Sequence, residues 1–158
     1  MNKESLLEKY GNRIRVRACG ICIHQNKLLM VKHLNIGKKN ILWLPPGGGV
    51  EVGEKAEAAV KREIEEETGL KIKVGKMLFV RDFVEPPLHG IELYFETFFL
   101  SGTLTKGIDP EYDSQIIDEV KWMSFDELQQ LNIDETAPFL KKISKFDDLY
   151  LLGTYLSI

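Results

Sequence analysis

The sequence predicts an α/β fold built as one domain over residues 1–158, and three observations carry that prediction. Apolar runs of strand character alternate with helical stretches instead of being sorted into separate blocks, the order expected of α/β architecture. One long helical pattern, opening near Glu54–Ala56 and running to about Thr68, has an apolar stripe of Ala56, Ala59, Val60 and Ile64 beside a carboxylate-rich face. Finally, 158 residues with 44% hydrophobic and 28% charged content are enough for one soluble domain with a substantial core.

Taken in order, residues 3–9 read as a short amphipathic helix. Ile14 to Cys22 and Leu28 to His33 read as strands joined by a polar turn at Gln25-Asn26-Lys27. Asn35 to Asn40 reads as an exposed loop. Trp43-Leu44-Pro45-Pro46 leads into Gly47-Gly48-Gly49, expected to be irregular because proline and glycine interrupt regular structure. The acidic helix follows, and Gly69 is well placed to end it. Ile72 to Val84 is a long strand or a bent pair, Pro86-Pro87 and His89-Gly90 mark a loop, and Ile91 to Ser101 alternates as a strand. Thr103 to Ile116 reads as loop, and Val120 to Met123 as a short strand. Ser124 with Glu127 three residues on has the capping-box pattern of a helix start. A last helix is expected over Pro138 to Phe146, then an apolar tail from Leu149 to Leu156.

The carboxylates of the long helix carry the functional information. Glu63, Glu66 and Glu67 are spaced i, i+3 and i+4, which gathers them on one helix face. Like charges so close destabilise a helix unless something positive lies among them. A hard divalent cation answers this, since Mg²⁺ prefers oxygen ligands and is commonly shared between carboxylates and substrate phosphates. An acidic, solvated helix face would explain "EIEEE" alone. It does not explain the longer register: Gly48, five residues, Glu54, seven residues, Arg62-Glu63-Ile64, one residue, Glu66-Glu67, one residue, Gly69-Leu70. A chance match at all these positions is on the order of one in a billion at average residue usage.

That register resembles the signature box of the Nudix hydrolases at every fixed position, and the Glu119–Leu128 stretch is similar to the family's strand-to-helix passage. The resemblance implies an α/β/α sandwich with a mixed sheet and the box helix packed on it. It implies Glu66 and Glu67 as ligands of Mg²⁺, with Mn²⁺ as a substitute, Glu63 as a further ligand or general base, and the Gly48 carbonyl as another ligand. Arg62 stands four residues before Glu66, close enough to pair with it and orient it. Glu54, near the helix start where a carboxylate suits the dipole, is expected in a structural role, as is Gly69. Many family members carry another glutamate shortly before the tryptophan matching Trp122. Here Gln115 and Ile116 stand nearest, and Glu111, Asp113, Asp118 and Glu119 are the candidate substitutes.

The expected activity is hydrolysis of a phosphoanhydride in a nucleoside diphosphate linked to another group. ADP-ribose or a nucleotide sugar is favoured over nucleoside triphosphates and dinucleoside polyphosphates, and Pro86, 16 residues past Leu70, is similar in placement to a proline of ADP-ribose-type members. A non-catalytic nucleotide-sensing module is the alternative of another class. Arg15, Arg17 and Lys32 are the candidate phosphate contacts, and Trp43, Phe83 and Tyr94 the candidate base platforms. Cys19 and Cys22 fall at strand positions that point to opposite faces, so they read as buried thiols rather than a metal or redox pair. The net charge of −3 argues against general nucleic-acid binding. With no signal-peptide pattern and no membrane-length apolar run, a cytoplasmic location is expected. The apolar tail and the aromatic strand at 91–99 predict a homodimer.

Overall fold

In the computed structural model, which describes Gly11 and residues 13–86, 88–108 and 116–157, eight strands form a mixed sheet with helical elements on both faces. The central strand, β1 (Arg15–His24), runs parallel to β6 (Leu88–Ser101), from Arg15 opposite Gly90 to Cys22 opposite Thr97. Its remaining pairings are split: Arg17 to Cys19 face β4 (Gly47–Gly49), whereas Ile23 and His24 face β2 (Lys27–Leu34). β2 also pairs with β3 (Ile41–Leu44) and β7 (Ile117–Met123). Beyond β6 lie β5 (Lys71–Glu85) and β8 (Tyr155–Ser157). The split of β1 leaves a fork between β4 and β2, and the acidic helix lies beside it.

That helix, α1 (Ala56–Thr68), buries Ala59, Val60 and Ile64 against Ala18, Cys22, Leu29, Leu70, Ile72 and Phe95. It ends where expected. Gly69 adopts the left-handed conformation at φ 71°, and its N–H caps the Glu65 carbonyl. The other sheet face holds the aromatic core, with Phe79 and Tyr94 stacked at 4.7 Å and Phe139 edge-on to both. Cys19 belongs to this core and Cys22 to the α1 side, so the two buried thiols do point apart.

Three expectations are corrected. Gly47–Gly49 is a strand, because glycines let β4 approach β1 more closely than any side chain permits: a Cβ on Gly47 would stand 2.5 Å from the Cys19 Cα. His89 and Gly90 lie inside β6, opposite Val84 and Phe83 of β5, so the turn is confined to the Pro86 region. The last helix over Pro138 to Phe146 is instead made of 3₁₀ turns at Pro138–Lys141 and Phe146–Tyr150. Asp148 accepts from the backbone N–H groups of Ser144 and Lys145, and these local bonds compete with continued α-helix. The helix expected at 3–9 lies outside the described residues. As for the tail, Leu149 is fully buried and Tyr155–Ser157 adds to the chain's own sheet beside Val80–Asp82, while Leu151 stays exposed.

α2 (Phe125–Gln130) opens on the expected capping box. Ser124 Oγ accepts from the Glu127 N–H, and the Glu127 carboxylate accepts from the Ser124 N–H at 2.8 Å. Ser124→Ala should therefore lower unfolding free energy by about 1 kcal/mol in urea titrations, with an unchanged slope.

Candidate active site

Two glycines and one arginine organise the acidic face of α1. Glu63 and Glu67, one helical turn apart, are both buried under β4, whereas Glu66 lies on the rim with its side chain 34% exposed. The Glu63 carboxylate fills the space where a Cβ of residue 48 would stand. Glu67 Oε2 accepts from the Gly47 N–H at 2.9 Å. The missing side chain of Gly48 makes room for Glu63, and that of Gly47 lets β4 lie close on β1 with its N–H toward Glu67.

Arg62 ties the rest together. Its Nε and Nη2 each donate to Glu54 at 3.0 Å, its Nη1 to Glu63 at 2.8 Å and Glu66 at 3.2 Å, and its Nη2 also to the Gly49 carbonyl at 3.0 Å. The forked, planar guanidinium is suited to such bidentate service, and lysine is not. Hydrogen bonds from Arg62 hold the Glu54 carboxyl below its ordinary range, and bonding to Glu54 raises the guanidinium's own affinity for its proton. Both groups are therefore charged across the physiological range. The expected proximity of Arg62 to Glu66 is present, together with a second partner, Glu54, eight residues back.

The charge balance bears on a metal. Glu54, Glu63 and Glu66 all bond to the Arg62 guanidinium, and Glu67 lies one turn from Glu63 against the Gly47 N–H and His33, so the face gathers negative charge that a cation would offset. The donors are all carboxylate or carbonyl oxygens, which suit Mg²⁺. Among the described residues, no three acidic, histidine or cysteine side chains converge as a ready-made cage. That also suits Mg²⁺, which usually takes one or two carboxylates and completes its shell with water and substrate phosphate. Of the ligands the resemblance implies, Glu63 and Glu67 lie buried against Gly48 and Gly47, and Glu66 lies on the rim beside Arg62.

The other expected residues are distributed as follows. Lys32 is bonded to Asp118 at 2.8 Å, which holds the Asp118 carboxyl below its ordinary range. Glu119 is exposed, while Glu111 and Asp113 lie outside the described residues. Trp43 is 7% exposed within the core, its carbonyl accepting from Thr136 Oγ1, so its ring has almost no surface left for a base. Tyr94 is likewise buried, and Phe83 lies under the Arg81 guanidinium at 5.1 Å. Arg15 is half-buried, on the same strand face as Arg17.

Arg17 reaches the site by a route that sequence reasoning missed. Its Nη2 donates to the Gly47 carbonyl at 2.9 Å, and its Nε lies 3.8 Å from Glu92. Glu92 is buried, accepting from Arg81 Nη1 at 2.8 Å and from the Tyr94 hydroxyl at 3.0 Å. The Gly47 peptide thus links two buried carboxylates, its N–H to Glu67 and its carbonyl through Arg17 to Glu92. Cys19 sits in this field, and burial followed by repulsion from Glu92 pushes its thiol up to about 12, so it stays neutral. A third missed residue, the buried His33 of β2, has Nε2 3.5 Å from Glu67 Oε1. The available signal was phase. Glu92 alternates with Gly90 and Tyr94, and Arg81 with Phe79, each a charge on a core-facing strand position.

Comparison with known proteins places this geometry. The NUDIX domain model matches residues 13–145. An ADP-ribose pyrophosphatase of Methanocaldococcus jannaschii is 40% identical over 111 residues, covering 68% of this chain and 65% of that protein. The human diphosphoinositol polyphosphate phosphohydrolase 3-alpha is 32% identical over 81 residues, covering 51% of this chain and 49% of that protein. The chain thus spans less than two-thirds of the length of either relative. A NUDIX hydrolase from Nitrosomonas europaea shares the fold, with a TM-score of 0.72 at 20% identity over 90% of this chain and 91% of that one. With the box in register, its glutamates brought against the glycine strand, and a family match over most of the sequence, the chain belongs to the NUDIX family.

Proposed function

We propose that the chain is a Mg²⁺-dependent pyrophosphohydrolase that cleaves the phosphoanhydride of a nucleoside diphosphate linked to a second group, with ADP-ribose or a nucleotide sugar as substrate. The observation that carries the reading is the packing of Glu63 and Glu67 against Gly47 and Gly48, with Arg62 fixing Glu63 and Glu66. When bound, the cation would activate water, clamp phosphate oxygens and offset charge on the leaving phosphate. The chain's own part is to hold its carboxylates oriented. Arg62 does so from the rim, and the Gly47 N–H from beneath. Glu63, held against Gly48, is a further ligand or the base that takes the proton of the attacking water. One catalytic domain in the cytoplasm, working as a homodimer, belongs to the same proposal, and light scattering that gave only the mass of one chain would remove the dimer.

The diphosphate-linked class is favoured for two reasons. The relative from Methanocaldococcus jannaschii is named for ADP-ribose. In addition, Arg17 and Arg81 both engage Glu92, and Lys32 engages Asp118, so the chain's own carboxylates already offset part of their charge. A sensor module without catalysis fits less well, because the box acids are all present.

The test is a panel of ADP-ribose, nucleotide sugars, nucleoside triphosphates, dinucleoside polyphosphates and a diphosphoinositol polyphosphate, run with Mg²⁺ in ¹⁸O-labelled water. ADP-ribose should give AMP and ribose phosphate, with label in one phosphate product. Label on a sugar hydroxyl would show carboxylates acting on carbon, as in glycoside hydrolysis, and would overturn the metal-centred reading. Binding without any product would favour the sensor.

A further inference from the structure

We propose that His33 is a positioning residue for Glu67, holding its carboxylate ready for the divalent cation; the proposal rests on the metal-dependent reading above. Three separate elements meet at this carboxylate. Glu67 comes from α1, the Gly47 N–H on Oε2 from β4, and His33 facing Oε1 from β2. The Glu67 side chain is 2% exposed, so water contributes almost nothing to its solvation, and donors from the protein must replace it. Gly47 supplies one for one oxygen, and His33 is placed to supply one for the other.

The ring's own situation points the same way. Nδ1 of His33 is buried and, among the described residues, has no hydrogen-bond partner. Whatever the charge on the ring, Nε2 must then carry a hydrogen. The tautomer with hydrogen only on Nδ1 would bury a bare N–H and turn a lone pair toward the carboxylate, which is the costlier arrangement. The strand is also shaped for this contact: the β2–β7 register shifts between Lys32 and His33, and such bulges re-aim a side chain. At 3.5 Å the contact is long for a hydrogen bond, and a few tenths of an ångström of ring movement closes it. Partners that orient a metal-binding group in this way typically change metal affinity by about 10–100-fold when removed.

The experiment measures Mn²⁺ affinity without substrate, by the electron paramagnetic resonance signal of the free ion, in the wild-type chain, His33→Phe, His33→Gln and Glu67→Gln, alongside thermal unfolding without metal. His33→Phe should weaken Mn²⁺ binding about tenfold or more, and His33→Gln, which keeps an N–H donor, should recover most of it. Mg²⁺ titrations of turnover should shift in parallel. If His33→Phe does not fold, His33→Asn, whose amide is too short to reach, takes its place against His33→Gln. A purely structural histidine would lower the melting temperature and leave the Mn²⁺ affinity at the wild-type value, and that result overturns the proposal. Equal weakening in His33→Gln and His33→Phe overturns it as well. Should Glu67→Gln also bind Mn²⁺ like the wild type, Glu67 leaves the ligand set and that part of the metal reading falls along with it; should Glu67→Gln alone lose the ion, only the role of His33 falls.

Discussion

Replacing Glu67 or Glu66 by glutamine is expected to lower kcat by at least about a hundredfold while leaving a folded protein. An amide keeps the shape of the side chain but cannot offset the charge of a cation. At Glu67 the amide oxygen still accepts from the Gly47 N–H, so β4 stays anchored. At Glu66 the side chain is 34% exposed, and its bond to Arg62 is one among several that fix the guanidinium. Neither change therefore removes a support of the fold. Steady-state rates at saturating Mg²⁺, with circular dichroism melts on the same samples, separate the two effects. Wild-type turnover in either variant would take that residue out of the ligand set, and loss of folding would mean that its role is structural.

The acidic cluster was legible because helical geometry is fixed: i, i+3 and i+4 spacing puts three glutamates on one side whatever surrounds them. The end of α1 was legible for the same reason, since Gly69 tolerates the left-handed cap at φ 71°. Which glutamates are buried was not. That depends on β4, and three glycines in a row carry no periodic signal from which a strand can be read. Glu92, Arg81 and His33 were missed for a related reason. A charge in a strand is ordinarily taken as solvent-facing, and recognising these as inward-facing required their phase relative to Tyr94, Phe79 and Leu29. The closing segment misled in the opposite direction. Pro138 to Phe146 has the apolar content of a helix, but Asp148 captures two backbone donors and the chain turns in short 3₁₀ pieces.

The two glycines that make the site should respond differently to one added methyl group. In Gly47→Ala the new Cβ would stand 2.5 Å from the Cys19 Cα and closer still to the Ala18 carbonyl, both fixed parts of β1. Backbone cannot yield as a side-chain end can, so β4 must lift away from β1 and with it the N–H that holds Glu67. A loss of about 3 kcal/mol in unfolding free energy is expected, with activity falling as a consequence. In Gly48→Ala the new Cβ meets the Glu63 carboxylate, which is the free end of a flexible side chain. Glu63 can swing away, breaking its bond with Arg62, at a cost to stability of about 1 kcal/mol. The turnover of Gly48→Ala should nonetheless fall by about a hundredfold, because the displaced carboxylate is one of the groups proposed to hold the cation or take the proton. Urea denaturation and initial rates on the two variants give the comparison. If Gly48→Ala lost only stability and kept its rate, Glu63 would have no part in the chemistry. If Gly47→Ala were as stable as the wild type, the close packing of β4 on β1 would not be what holds the site together.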